Sequence, residues 1–257
     1  MKFYNDFIGS DFANSQYRFL PGEDDLEKYL HNIDTMGTTW YYRDKKLDYT
    51  FNENGHRCKN IDEIDLNNYL LFIGCSHTFG TGVELEQTFP HITSTFISEG
   101  NYYNMAVSAS GPDTIEYNLL TWFLKIKQRP NLVIIQWPDH SRFCSITPGR
   151  DEIIPKGSWS SDFDTQKFIT NSESTASVLG RKFIHTRLIN TIIDVPIINI
   201  IHQGLVPYYD DSLVFSTVDR ARDLIHSGIN SHQLLADNII KTYYEKYNNY
   251  IEFTNQK

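Results

Sequence analysis

A serine, an aspartate and a histidine occupy positions suited to nucleophilic chemistry. Ser76 follows the apolar run Leu70-Leu71-Phe72-Ile73, within Gly74-Cys75-Ser76-His77-Thr78-Phe79-Gly80. The run reads as a buried strand that stops and turns sharply, presenting a serine hydroxyl at its carboxyl edge. A serine hydroxyl is a weak nucleophile until a base takes its proton. The far end of the chain offers that base: in Asp223-Leu224-Ile225-His226 a carboxylate precedes an imidazole by three residues. The carboxylate would orient the ring and stabilise its charged form. Ser76, Asp223 and His226, in that order, make a candidate triad.

Each of these residues also has a plainer use. Ser76 alone could cap a helix. Cys75 beside it reads as a small buried residue, because a cysteine nucleophile needs its own base. His77, His140 and His202 could gather at one edge of a sheet, but they lack metal-ligand spacing and no metal site is expected. The stretch 74–82 superficially resembles a phosphate loop and lacks its Gly-Lys-Ser/Thr ending. No cofactor is called for.

The elements that must position these side chains alternate between strand and helix patterns. Strands are expected over 69–75, 102–107, 132–137 and 196–201, with 250–253 either a last short strand or a tail. Helices are expected over 87–98, with Phe89, Ile92 and Phe96 on one face, and over 113–126, where Asp113 and Glu116 suggest a capping box. Further helices are expected over 175–190 and from Ser231, read as the N-cap, to about Tyr247. Residues 141–174 read as a long polar insertion and 202–222 as a second loop. Strands alternating with helices give a parallel sheet with helices on both faces, a flavodoxin-like three-layer α/β fold.

Residues 1–66 show no long periodic segment, but hold Trp40, Tyr41, Tyr42, Tyr49 and Phe51. A short helix over 24–29 and a strand over 47–51 are the most regular features. The aromatics argue against disorder, so this region is expected to be a lid or appendage packed on the main domain, residues 67–257.

The chain has 257 residues and a formal net charge of -9, with no basic run longer than Lys45-Lys46 or Arg181-Lys182. That argues against nucleic acid or an anionic membrane surface as the main partner. No segment reaches the roughly 18 uninterrupted apolar residues of a membrane span. The stretch 192–201 is broken by Asp194, Pro196 and Asn199. The first ten residues lack a basic start followed by an apolar core, and the three cysteines are too scattered for a disulfide framework. The expectation is a cytoplasmic protein with free thiols, export by another route such as a virion staying open. Oligomeric state is not legible.

The motifs together resemble those of the SGNH hydrolases, the GDSL esterase and lipase superfamily, over about residues 68–247. Gly74-Cys75-Ser76-His77-Thr78-Phe79-Gly80 is similar to the first block, with Ser76 as nucleophile and Cys75 in place of the usual Asp. Asn104 to Ala109 is similar to the second block, Asn-x-Gly-x-x-Gly, with both glycines replaced by alanine. The resemblance implies that the backbone N–H of Ala109 serves as an oxyanion donor, beside that of Ser76. The third block, Gly-x-Asn-Asp, corresponds to Gln136-Trp137-Pro138-Asp139, and Pro138 stands where the family asparagine would be. Proline carries no donor, so catalysis is expected to be slow or to need a substitute from the neighbouring loop, Arg142 before His140 because its charge is permanent. Asp223 and His226 match the fourth block, Asp-x-x-His.

What the resemblance implies is a serine esterase that removes O-acetyl or another small acyl group from a carbohydrate. A catalytically degenerate domain that binds a glycan or a protein is the alternative, supported by the missing asparagine. A flavodoxin-like nucleotide-binding module is a weaker one.

Overall fold

The computed structural model describes residues 1–139, 141–146, 152–172, 189, 193–204 and 212–247. Five strands form one parallel sheet: β1 (Leu70–Ile73), β2 (Tyr102–Asn104), β3 (Leu132–Trp137), β4 (Ile197–His202) and β5 (Leu213–Phe215). Their order is β2-β1-β3-β4-β5, the flavodoxin arrangement. The register pairs Leu70 with both Tyr102 and Leu132, Ile197 with Val133, and Ile200 with Leu213. Among the described residues the α-helices include α1 (Leu26–Met36), α2 (Ser76–Phe79), α3 (Phe89–Ile97), α4 (Pro112–Lys125), α5 (Phe163–Ser172) and α6 (Ile229–Lys246).

Side chains alternate across a strand, so each face of the sheet needs its own cover. Leu71, Ile73, Val133, Ile135 and Trp137 pack with Ile115, Leu119 and Trp122 of α4. Leu70, Phe72, Leu132 and Ile134 pack with Phe89 of α3 and Leu235 and Ile239 of α6. Every residue of β1 and β3 is buried, which is why both read as continuous apolar runs.

Several local expectations are corrected. The fifth strand is Leu213–Phe215, inside what reads as a loop; 250–253 lies outside the described residues, as does the helix expected over 175–190 except Ile189. The insertion is not all loop: it holds a hairpin, Phe143–Ile146 with Ile153–Lys156, and α5. Helix α4 has Gly111 as N-cap and no capping box, because Asp113 accepts from the backbone N–H groups of Thr114 and Cys144. Phe96 of α3 is 63% exposed, and Thr93 and Ser94 take the buried face instead. Helix α6 has Gly228 as its N-cap, and Ser231 lies within its first turn. The Asp219 carboxylate caps it from a distance, accepting from the N–H groups of Asn230 (3.0 Å) and Ser231 (2.9 Å).

The first 66 residues form small pieces that lie against the sheet layers. The hairpin of Lys2–Tyr4 and Phe7–Gly9 docks on α4, where Asn118 accepts from Ile8 N–H and donates to Ile8 O, both at 2.8 Å. Helix α1 is capped by Asp25, which accepts from Lys28 N–H. Leu20, Leu47, Tyr49 and Phe51 share one apolar cluster with Phe79 and Ala106, residues flanking the serine and second-block turns.

Candidate active site

The strand order reverses between β1 and β3, and in such sheets ligands bind in the crevice outside the carboxyl ends of the strands. Ser76 stands there, at the start of the single-turn α2. Gly74 makes the turn possible: a Cβ on it would lie 2.2 Å from Thr78 Oγ1 and 3.1 Å from Gln136 Cβ. Thr78 donates to Gln136 Oε1 at 2.7 Å, fastening the serine turn to the end of β3.

The second-block loop is strapped to the same point. Ser110 Oγ (3.0 Å) and Val107 N–H (3.3 Å) both donate to Gly74 O. Between them, Ala109 adopts φ 62°, the left-handed region that glycine prefers. An alanine thus holds a glycine-like conformation here, at a cost of about 1 kcal/mol. Among the described residues, the N–H groups of Ser76 and Ala109 donate no hydrogen bond. Asn104 is buried and committed locally: its Nδ2 donates to Thr78 O (3.0 Å) and its Oδ1 accepts from Ala106 N–H (3.1 Å).

Asp223 and His226 lie on a tight loop, not on a helical turn. Arg220 and Ser227 form an antiparallel bridge, Ala221 N–H donates to His226 O, and Leu224 adopts φ 59°. The loop folds Asp223 back on its own backbone, so that Oδ1 accepts from the N–H groups of Ile225 and His226, each at 3.0 Å. Oδ2 lies 2.5 Å from His226 Nδ1. Burial pushes the Asp223 carboxyl up, but the hydrogen bond and charge of His226 and the two backbone donors outweigh it and hold the group below its ordinary value.

The two loops touch. Arg222 N–H donates to Gly82 O at 3.0 Å, and a Cβ on Gly82 would come within 2.7 Å of Ala221 Cβ. The His226 ring lies 5.1 Å from that of His77, the residue after the serine. No hydrogen bond joins Ser76 to His226, so the structure brings the serine and Asp–His segments to one edge without closing the last contact.

His77 is stacked on His202 at 4.6 Å and meets Phe215 at 5.4 Å. Burial among these rings pushes His77 well down, with the neighbouring histidines adding to it. No group of three or more ligating side chains among the described residues could hold a metal ion.

Pro138 follows β3 directly and has no N–H to offer. Arg142 is held by its own N–H on Asp139 O (3.1 Å), and its guanidinium lies 5.0 Å from the Trp159 ring centre. It is thus stacked on Trp159, and its charge is felt by His77, whose imidazole it helps to hold down. His140 lies outside the described residues. A cavity of about 260 Å³ opens beside Ala109, lined by Phe12, Leu20, Phe51, Phe79, Val107 and Glu23 among others.

Sequence reasoning missed the contribution of the first 66 residues. Glu23 accepts hydrogen bonds from Thr81 (3.3 Å) and Ser108. Arg57, fully buried, donates to Gly80 O (2.6 Å) and Val83 O (2.9 Å) and stacks on Tyr49. No local pattern announces such partners.

No helix among the described residues is long and apolar enough to cross a membrane. No family model matches the chain, and no curated protein matches it. Among solved structures it is similar to a carbohydrate esterase whose active site is said to display divergent catalytic and non-catalytic binding functions. Identity is 14% and the TM-score 0.44, over 71% of this chain and 66% of that one, just under two thirds of its length. It is also similar to a member of the lipolytic protein G-D-S-L family from Veillonella parvula DSM 2008, at 12% identity and TM-score 0.39, over 70% of this chain and 97% of that one. The sheet order and its two helical layers, rather than these distant likenesses, define the fold: a three-layer α/β protein of flavodoxin-like topology.

Proposed function

We propose that the chain is a serine esterase of SGNH type that removes O-acetyl or another small acyl group from a carbohydrate. The observation that carries this reading is the Asp223–His226 contact of 2.5 Å on a loop touching the Ser76 turn. With Nδ1–H donated to Asp223, the other ring nitrogen, Nε2, is the one free to accept a proton.

In this mechanism Ser76 Oγ attacks the ester carbonyl while His226 Nε2 takes its proton. The N–H groups of Ser76 and Ala109 receive the developing oxyanion. His226 then protonates the leaving alcohol, and an acyl-serine remains. Water, deprotonated by the same nitrogen, attacks that ester and releases the acid and free Ser76. The open Ser76–His226 contact fits a site without substrate, where catalytic hydrogen bonds are commonly long. Arg142 is the candidate third donor in place of the family asparagine.

Hydrolysis of acetylated sugars and aryl acetates by the wild type, Ser76→Ala and Arg142→Ala tests the reading. Turnover that disappears in Ser76→Ala supports it. Turnover lost in Ser76→Ala but unchanged in Arg142→Ala removes Arg142 from the mechanism. A second reading, a binding module for a glycan or protein, is favoured by Pro138 alone; binding of a glycan without turnover by the wild type would select it.

A further inference from the structure

Asp24 is fully buried and stands at a junction between the two halves of the candidate site. One arm reaches the Asp–His loop. Arg222 Nε lies 3.1 and 3.0 Å from the two Asp24 oxygens, and Nη2 lies 2.7 Å from Oδ2, although 198 residues separate the pair. Arg222 immediately precedes Asp223. Its carbonyl accepts from Asn32 Nδ2 at 2.9 Å, so the first 66 residues grip it at both ends.

The other arm reaches the serine turn. Tyr49 OH donates to Asp24 Oδ2 and accepts from Gly82 N–H at 2.8 Å. Burial and the Asp24 charge push the Tyr49 phenol well up, so it stays a neutral donor. Gly82 O, in turn, receives Arg222 N–H. The links run from Asp24 through Arg222 to Gly82, and back through Tyr49 to Asp24.

We propose that Asp24 is a positioning residue for the candidate active site, holding the Asp223–His226 loop and the Ser76 turn in one register through Arg222 and Tyr49. A buried ion pair is weak evidence for stability, because desolvation offsets its attraction and apolar residues of similar volume often do as well. What an apolar replacement cannot supply is direction. The planar guanidinium fork and the phenol fix angles as well as distances. Displacement of a reacting group by about 1 Å costs on the order of 100-fold in rate.

The inference rests on the esterase reading only where turnover is concerned, and the test separates the two. In the full-length chain, the double variant Asp24→Leu/Arg222→Met and the single variant Tyr49→Phe are compared with the wild type. Melting temperature, the rate of fluorophosphonate labelling at Ser76, and the downfield proton resonance of His226 Nδ1–H are measured. The double variant is expected to melt near the wild type yet label about 100-fold more slowly, with its resonance shifted or lost. Tyr49→Phe, which removes one hydroxyl, is expected to label about tenfold more slowly; it carries the test if the double variant does not fold. Wild-type labelling in either folded variant overturns the inference. If the wild type does not label, the esterase reading fails and the resonance alone decides: unchanged in the folded variants, it overturns the positioning role; shifted or lost, it supports it.

Discussion

His226 Nδ1 lies 2.5 Å from Asp223 Oδ2, and the loop that joins them places Leu224 at φ 59°. A leucine in the left-handed region is strained, and such strain concentrates where a fixed geometry is needed. Asp223→Asn keeps the shape but changes what Nδ1 can be paired with. Turnover is expected to fall by about 10⁴-fold, as for loss of the correct imidazole tautomer. Steady-state kinetics on an aryl acetate, with circular dichroism to show an intact fold, checks this. A loss below tenfold would mean that the carboxylate does not orient the ring.

Ala109 at φ 62° yields a prediction of opposite sign. Ala109→Gly removes about 1 kcal/mol of backbone strain and returns part of it by loosening the unfolded chain, so the variant is expected to be as stable as the wild type or up to about 1 kcal/mol more. Ala109→Val adds a β-branched side chain to the same dihedral and is expected to be destabilised. Urea midpoints measure both.

The chain is expected to lose stability in acid from an unusually high pH. His232 Nδ1 accepts from Phe89 N–H at 3.1 Å, and burial pushes this imidazole down to about 3. His56, between Tyr103 OH and Ile8 O, is pushed down by burial to about 4. In the unfolded chain both titrate near 6.5. Between that pH and their folded values the unfolded state binds more protons, so stability is whole above about 6.5 and falls as pH falls. Asp223, held below its ordinary value, adds a loss under about pH 4. Melting temperature from pH 8 to pH 4 tests this, and His232→Gln is expected to flatten the slope. A melting temperature constant from pH 7 to pH 5 would contradict it.

Under the proposed function, the cavity beside Ala109 offers a place for an acyl chain. It is apolar along Phe12, Leu20, Phe51, Phe79 and Val107, and its 260 Å³ exceeds the roughly 150 Å³ that holds a benzene molecule. If the acyl chain enters it, p-nitrophenyl butyrate or hexanoate should be cleaved faster than the acetate. Val107→Phe, which narrows the cavity, should reverse that order. A chain-length profile unaffected by Val107→Phe would place the acyl group elsewhere.

What the sequence made legible follows from how local each signal is. Strands β1 and β3 are covered on both faces, so their apolar runs announce themselves within a few residues. Strand β5 is only three residues long, too short for a period to show. The cap of α6 is not legible because a serine in the right place looks like an N-cap, whereas the carboxylate that does the capping belongs to Asp219, 11 and 12 residues before the amides it receives. Of the candidate site, Asp223 and His226 are visible because three residues separate them, and Ser76 because a strand ends there. Asp24, Tyr49 and Arg57 carry no such mark. Their partners are distant in sequence, and only folding brings them together.

In the proposed mechanism Ser76 is a nucleophile activated by His226. Fluorophosphonate labelling followed by peptide mass analysis tests it most directly, since an unactivated serine does not react. One adduct, on Ser76, is expected in the wild type, and its loss is expected in His226→Ala at unchanged melting temperature. A wild-type protein that folds but forms no adduct at Ser76, or an adduct that persists in His226→Ala, would contradict it.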